Sequence, residues 1–280
     1  MYISVLPLAR SLHPRPYTYS VSELWEGQIV IWGLVEVPIG KYVERGVVAS
    51  IENEVDESRE IRPIVSVISS TPLLTPTEIA MTEALAVRYL LPVHKVLAFF
   101  LPSPLLTRLE KRNYIFEERS SWRDPKEKWK KTIHQYLDSI YTPVDANNTR
   151  EEWVVFCFPD DFFLYSFFAK EKEKNILTIP HEATTTRKAQ SWIDAREGKY
   201  EILVWTRKIL YYNLSRYKKL IYVEDAFGTE QYQYPYRIKN LDILRSLADS
   251  SDIDITIVSS SPSLELLANF RDFSLVTIKK

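Results

Sequence analysis

Two Gly-Lys pairs, one acidic pair, four histidines, one cysteine and a serine run are the residues of this 280-residue sequence whose types suit chemistry. Gly40-Lys41 and Gly198-Lys199 invite comparison with a phosphate-binding loop, where glycines free backbone amides to wrap a phosphate and a lysine reaches its oxygens. Neither pair has a glycine five residues earlier, and neither is followed by Ser or Thr. Glu224-Asp225 follows the apolar run Leu220–Val223, where a nucleotide hydrolase places a magnesium-binding carboxylate. Without a phosphate loop it reads instead as a solvated strand end. His13, His94, His134 and His181 include no i,i+4 pair, and Cys157 lies inside an apolar run, so neither a metal site nor a thiol nucleophile is expected. Ser259-Ser260-Ser261-Pro262-Ser263 lacks the G-x-S-x-G elbow and reads as a strand-to-helix turn, capped by Ser261 or Ser263. ATP hydrolysis is read as absent. No enzymatic activity, cofactor or metal is expected.

Two stretches suit binding rather than catalysis. In "VPIGKYVERGVV" (Val37–Val48), Gly40-Lys41 sits between two strand-like runs. A turn needs the glycine but not the lysine, so the tip is either a plain turn with a solvent-facing lysine or one wall of a ligand site. In "RSSWRDPKEKWKK" (Arg119–Lys131), Trp122 and Trp129 alternate with basic residues including Lys126, Lys128, Lys130 and Lys131. Aromatics that stack on bases and cations that track phosphates suit single-stranded nucleic acid. The same pattern also fits a solvated helix face with its tryptophans turned inward.

The elements that must position these residues fall into two styles. Residues 1–104 read as β-rich, with strand-like runs at Gln28–Trp32, Leu34–Ile39, Arg45–Ile51 and Pro63–Ile68. Helices follow from Thr75-Pro76-Thr77-Glu78, where Thr75 is a cap, and over Val93–Leu101. Residues 105–150 read as a basic helical linker, with a helix within Asp124–Tyr141 and a loop at Pro143–Arg150. Residues 151–280 alternate unbroken apolar runs with helical stretches: Trp153–Phe158, Ile176–Ile179, Ile202–Trp205, Leu220–Val223, Ile253–Val258 and Leu275–Ile278. Buried parallel strands read this way, so the overall class is α/β, a small β-rich domain followed by a mostly parallel lobe without a phosphate loop.

Composition sets further limits. Six glycines leave little material for phosphate loops, and a single cysteine excludes an internal disulfide framework. Neither a signal peptide nor a membrane-spanning run is read in the sequence, so a cytoplasmic protein is expected. The net charge of −1 conceals a distribution of −3 over residues 1–104, +4 over 105–131 and −2 over the remainder. The negative first segment disfavours tight DNA binding on its own, and phosphate contacts are expected from residues 105–131.

"RPYTYSV…LWEGQIV…VPIGKYVERGVVASI…EIRPIVSVISSTPLLT…ALAVRYLLPVHKVLAFFLP" resembles the N-terminal DNA-binding domain of the primosomal replication-restart helicases, the PriA family. The resemblance rests on Tyr17, Tyr19, Gly27, Val37-Pro38, Gly40-Lys41, Gly46-Val47-Val48, Arg62-Pro63-Ile64, Pro72, Tyr89, Pro92 and Leu101-Pro102. It implies a pocket for the 3′ end of a nascent strand, built here by Tyr17, Thr18, Tyr19, Gly40 and Arg62, with Lys41 near the backbone. Family members often carry an acid where Thr18 stands; a threonine hydroxyl is a weaker, uncharged acceptor.

"SWIDAREGKYEILVWTRKILYYNLSRYKKLIYVEDAFGTEQYQYPYR" and "TIVSSSPSLELL" are similar to the first, RecA-like helicase lobe of the same family. The departures decide what the resemblance implies. The glycine-rich loop is missing. The family's D-E-E-H stands as Glu224-Asp225-Ala226-Phe227, its S-A-T as Ser259-Ser260-Ser261 and its G-T-R as Trp205-Thr206-Arg207. No stretch resembles the second helicase lobe or the cysteine-rich zinc module. The implied function is a non-catalytic DNA-binding protein of replication restart, recognising 3′ ends or forked DNA, with primosomal proteins as further partners. Two other functions stay open: an interaction component of a primosome-like assembly, and a pseudo-helicase subunit whose ATP site a partner completes.

Overall fold

The computed structural model describes residues 1–8, 16–52, 61–112, 131–136, 153–159, 175–179, 183–212, 214, 216–224, 232–233, 236–259 and 261–278. The chain divides into two compact units, Met1–Glu118 and Arg119–Lys280.

The first unit is built on an antiparallel sheet. Strands β1 (Tyr2–Pro7), β2 (Tyr17–Ser20), β3 (Leu34–Ile39), β4 (Tyr42–Glu52) and β5 (Ser66–Ser69) lie in the order β2-β1-β4-β3-β5. Strand alternation turns Ile3, Val5, Tyr19, Val35, Val37 and Val48 to one face, where they form the core with Tyr17 and Ile39 packed against it. At Gly46, β4 runs so close to β1 that a Cβ would collide with the Val5 side chain. The segment from Arg62 to Ser69 touches both edges of the sheet. Its start bridges β2 through Ser20 and Pro63, and its end is β5, paired with β3. This draws the two sheet edges together and brings the β3–β4 hairpin near β2.

The run Gln28–Trp32, expected as a strand, forms a turn. Gly33 N donates to Val30 O, and Trp32 takes a left-handed φ of 66°. Trp32 is satisfied outside any regular ladder, its N–H donating to Val48 O and its carbonyl accepting from Leu73 N. Helices α1 (Glu23–Glu26), α2 (Pro76–Arg88), α3 (Val93–Phe100) and α4 (Ser103–Arg112) complete the unit. Thr75 begins α2 with a capping box: its hydroxyl accepts from Glu78 N at 3.3 Å while its own N–H donates to Glu78 Oε2 at 2.7 Å. α4 belongs to this unit. Arg45 on β4 pairs with Glu110 and donates to Thr107 Oγ1 at 3.2 Å, and Leu105, Leu106 and Leu109 are buried.

The second unit holds β6 (Lys131–Tyr136), β7 (Val154–Phe158), β8 (Ile176–Ile179), α5 (Thr185–Arg196), β9 (Ile202–Thr206), β10 (Lys219–Val223), β11 (Tyr232–Gln233), β12 (Ile238–Lys239), α6 (Asn240–Ser250), β13 (Asp254–Ser259), α7 (Leu264–Asn269) and β14 (Ser274–Ile278). β11 and β12 form a small antiparallel pair. The other seven strands make one parallel sheet in the order β14-β6-β13-β10-β7-β9-β8. Every residue of β7 and β9 is buried, as their unbroken apolar runs require.

β6 corrects the reading of residues 105–150 as a helical linker. Lys131–Tyr136 is a strand, paired in parallel with β13 on one side and β14 on the other. Pairing with both neighbours outweighs the local helical pattern, which is a weak prior. The position also matters for chemistry. In the strand order, the strand that follows β6 in sequence, β7, lies on one flank of the β6–β13 pair, and the strand that follows β13, β14, lies on the opposite flank. The carboxyl ends of β6 and β13 therefore flank a topological switch point, the place where ligands bind in open α/β sheets. The loop relevant to a nucleotide is the one leaving β6, not the one leaving β7. Its sequence, residues 137–150, also contains no glycine.

Candidate nucleic-acid interface

Five of the six positions singled out in the first unit come together at one corner of the sheet. Residue 62 is fixed to the edge of β2 by main-chain bonds: Ser20 N donates to Arg62 O and Ile64 N to Ser20 O, each at 3.0 Å. From there the exposed Arg62 side chain reaches the hairpin tip, where Nη1 donates to Gly40 O at 3.3 Å. Gly40 holds φ at 60°, a left-handed conformation that glycine adopts without the penalty borne by other residues. The turn thereby presents its carbonyl to the guanidinium. Tyr19 OH donates to Pro38 O at 3.3 Å, tying β2 to the same hairpin. Lys41 is exposed at the tip.

Tyr17 and Tyr19 point to the core face of β2, Tyr19 buried and Tyr17 half-buried. Burial pushes the Tyr19 hydroxyl above its ordinary pKa; neighbouring Tyr17 adds to the rise and the Arg62 charge offsets part of it. The hydroxyl therefore stays protonated at neutral pH and remains a donor. Neither Arg62 nor Lys41 forms an ion pair with a described carboxylate, in contrast to Arg45, which is spent on Glu110. A guanidinium oriented by a carbonyl, without a described acid paired to it and near the Tyr19 phenol, can accept a phosphate through its remaining N–H groups.

Thr18 is not brought into this group. Strand alternation sets it on the other face of β2, opposite Ser4. Ser4 and Ser50 both donate to Glu52 there, Ser50 at 3.1 Å. The hydroxyl that stands where the family often has an acid thus belongs to a separate polar row, Thr18–Ser4–Ser50, and not to the Tyr-Arg corner.

The model of the PriA 3′ DNA-binding domain (3′BD) family matches residues 5–102. Residues 5–102 are a PriA-type 3′ DNA-binding domain. No curated protein matches the chain. The Tyr-Arg corner lies wholly within the 3′ DNA-binding domain, and the antiparallel sheet is its scaffold.

Outside the 3′ DNA-binding domain, the other singled-out residues fall as follows. Lys126, Lys128, Lys130 and Asp225 lie outside the described residues. Lys131 is the first residue of β6. Gly198-Lys199 closes α5, and Lys199 bonds to Asp194 and Glu197, each at 2.7 Å, which hold its amine protonated well above the usual range. This second Gly-Lys pair is a helix end with its lysine already paired.

Arg207 is buried at the end of β9. Its Nη1 donates to the Tyr222 hydroxyl, and the guanidinium lies over the Tyr222 ring, 5.1 Å from its centroid. Glu224, buried after β10, is engaged by the start of α7: Ser263 Oγ donates to Oε1 at 2.7 Å. Ser263 Oγ also accepts from Leu266 N at 3.1 Å, as a helix cap. Ser261 N donates to Ser259 Oγ at 3.2 Å within the preceding turn. These side chains are engaged with each other and with the fold.

Sequence reasoning missed two contributors to the corner. Pro38 offers its carbonyl to Tyr19, a main-chain role that no side-chain pattern signals. Tyr42 follows Lys41 directly and is 73% exposed. Its signal was present, an aromatic at the end of a hairpin turn.

Proposed function

We propose that this protein is a non-catalytic DNA-binding protein that recognises DNA 3′ ends or forked DNA in replication restart. The observation that carries the reading is the corner of the 3′ DNA-binding domain where Arg62, unpaired with any described acid, donates to Gly40 O near Tyr19, with Tyr17 on the same face of β2. Arginine supplies a phosphate contact, a tyrosine ring supplies a surface for a terminal base, and the glycine turn keeps the approach open. The non-catalytic part of the reading is supported by the sequence, which has no glycine-rich loop. It is also supported by Glu224, whose carboxylate is used by Ser263. Primosomal proteins are the partners such a factor would meet, and the cytoplasm is its expected place. Among the described residues no helix is long and apolar enough to cross a membrane.

The test is fluorescence anisotropy at low salt, using a fork with a recessed 3′ end. Binding should weaken when the 3′-OH is replaced by a 3′-phosphate, and again in Arg62→Ala. Equal binding in all cases would place affinity elsewhere, in the basic stretch around Lys126–Lys131. No binding would favour the interaction-component reading.

A further inference from the structure

The corner has a third aromatic ring that the end-binding reading does not use. In the β3–β4 hairpin Ile39 is paired with Tyr42, so their side chains share a face of the sheet. Ile39 packs against the core cluster that contains Tyr19, as Tyr17 does. Tyr42 therefore lies on this same face at the base of the hairpin turn, two residues from the Gly40 carbonyl that orients Arg62. It contributes little to the core, being 73% exposed, and among the described residues its ring and hydroxyl have neither a ring partner nor a hydrogen bond. Directly beside it Lys41 is exposed and pairs with no described acid. A solvent-facing aromatic flanked by an exposed cation, on a surface that already carries an arginine, has the composition of a stacking platform for a single strand.

We propose that Tyr42 stacks on the base next to the terminal one, so that the domain holds the last two nucleotides of a 3′ end rather than one. In this arrangement Arg62 takes the phosphate near the terminal nucleotide, and Tyr42 with Lys41 takes the adjacent base and backbone. Stacking is indifferent to base identity, so the second contact lengthens the footprint without adding sequence preference. The inference rests on the 3′-end reading.

The experiment uses the full chain and a single-stranded oligonucleotide with 2-aminopurine at the position before the 3′ terminus. Wild type and Tyr42→Phe should quench the 2-aminopurine on binding. Tyr42→Ala should not, and should bind about tenfold more weakly. Moving the probe to the oligonucleotide's centre should abolish the difference in quenching. Because Tyr42 is solvent-facing, its variants should melt like wild type. Undiminished quenching and affinity in Tyr42→Ala, alongside weakened binding in Arg62→Ala, would overturn this inference and leave end recognition intact. If Arg62→Ala and a 3′-phosphate were also silent, the end-binding reading itself would fall.

Discussion

Ser263 occupies both carboxylate oxygens of Glu224, its hydroxyl donating to Oε1 at 2.7 Å and its amide to Oε2 at 3.4 Å. The acid at the end of β10 is therefore part of the cap of α7. In a nucleotide hydrolase a carboxylate at this strand end must be free to hold a cation. Here the same position stitches two consecutive crossovers of the parallel sheet. Ser263→Ala removes the cap bond to Leu266 and leaves a buried carboxylate short of a donor. The expected cost is about 1–3 kcal/mol in denaturant unfolding of the chain. Adding magnesium should leave the wild-type melting temperature unchanged. A cation-dependent rise would show that Glu224 can be released to a ligand.

Gly40 tests the hairpin separately from its charges. At φ 60° any other residue is strained, although the space around a Cβ is open. Gly40→Ala should cost about 1–2 kcal/mol of stability, and Gly40→Asn less, because asparagine tolerates this region. The alanine variant should also weaken DNA binding by shifting the carbonyl that holds Arg62. Anisotropy measured well below the variant's melting temperature separates the two effects.

Reversing the charge of Lys126, Lys128, Lys130 and Lys131 to glutamate should weaken DNA binding and flatten its dependence on salt. Each lost phosphate contact lowers the slope by about 0.7 on single strands. Titrations at several salt concentrations provide the slope. An unchanged slope would assign this segment to a protein partner.

The Cys157 thiol is pushed up to about 12 by burial, with the Arg207 charge pulling slightly the other way. A pKa raised in the folded state favours folding while the thiol is protonated. Its contribution is complete below the unfolded value of 9.0 and is lost as pH rises toward about 12. Tyr212 and Tyr217, also raised by burial, act in the same direction at higher pH. Cys157→Ala should therefore lose less stability than wild type between about pH 9 and 11, read as the difference between two denaturant series. At pH 8 the native thiol should be inert to a disulfide reagent, and should react only after unfolding.

The parts of this fold written in local patterns were legible. Thr75-Pro76-Thr77-Glu78 spells a capping box, and one forms. The unbroken runs around Phe156 and Val204 are strands buried on both faces. What failed was decided by partners far away in sequence. Gln28–Trp32 has strand composition, but its hydrogen bonds go to Val48 and Leu73 through a turn. Lys131–Tyr136 sits in a charged stretch with helical spacing, yet β13 and β14 claim it from both sides. At the corner, the family pattern named Tyr17, Tyr19, Gly40 and Arg62. It could not show that Thr18 turns away from them, because that depends on strand alternation, nor that Pro38 contributes through its main chain.

The place of β6 in the parallel sheet has a consequence for how the molecule is made. β6 leaves the ribosome before every other strand of that sheet, and its two hydrogen-bonding neighbours, β13 and β14, leave last. At ~5–20 residues per second the delay is roughly 6–25 s. Throughout that interval the nascent chain carries a strand with both edges unsatisfied, a template for wrong pairing. Synthesis halted before residue 254 would strand β6 permanently. Prematurely stopped chains should therefore aggregate, while the first unit, whose five strands pair with one another within Tyr2–Ser69, closes as soon as it emerges.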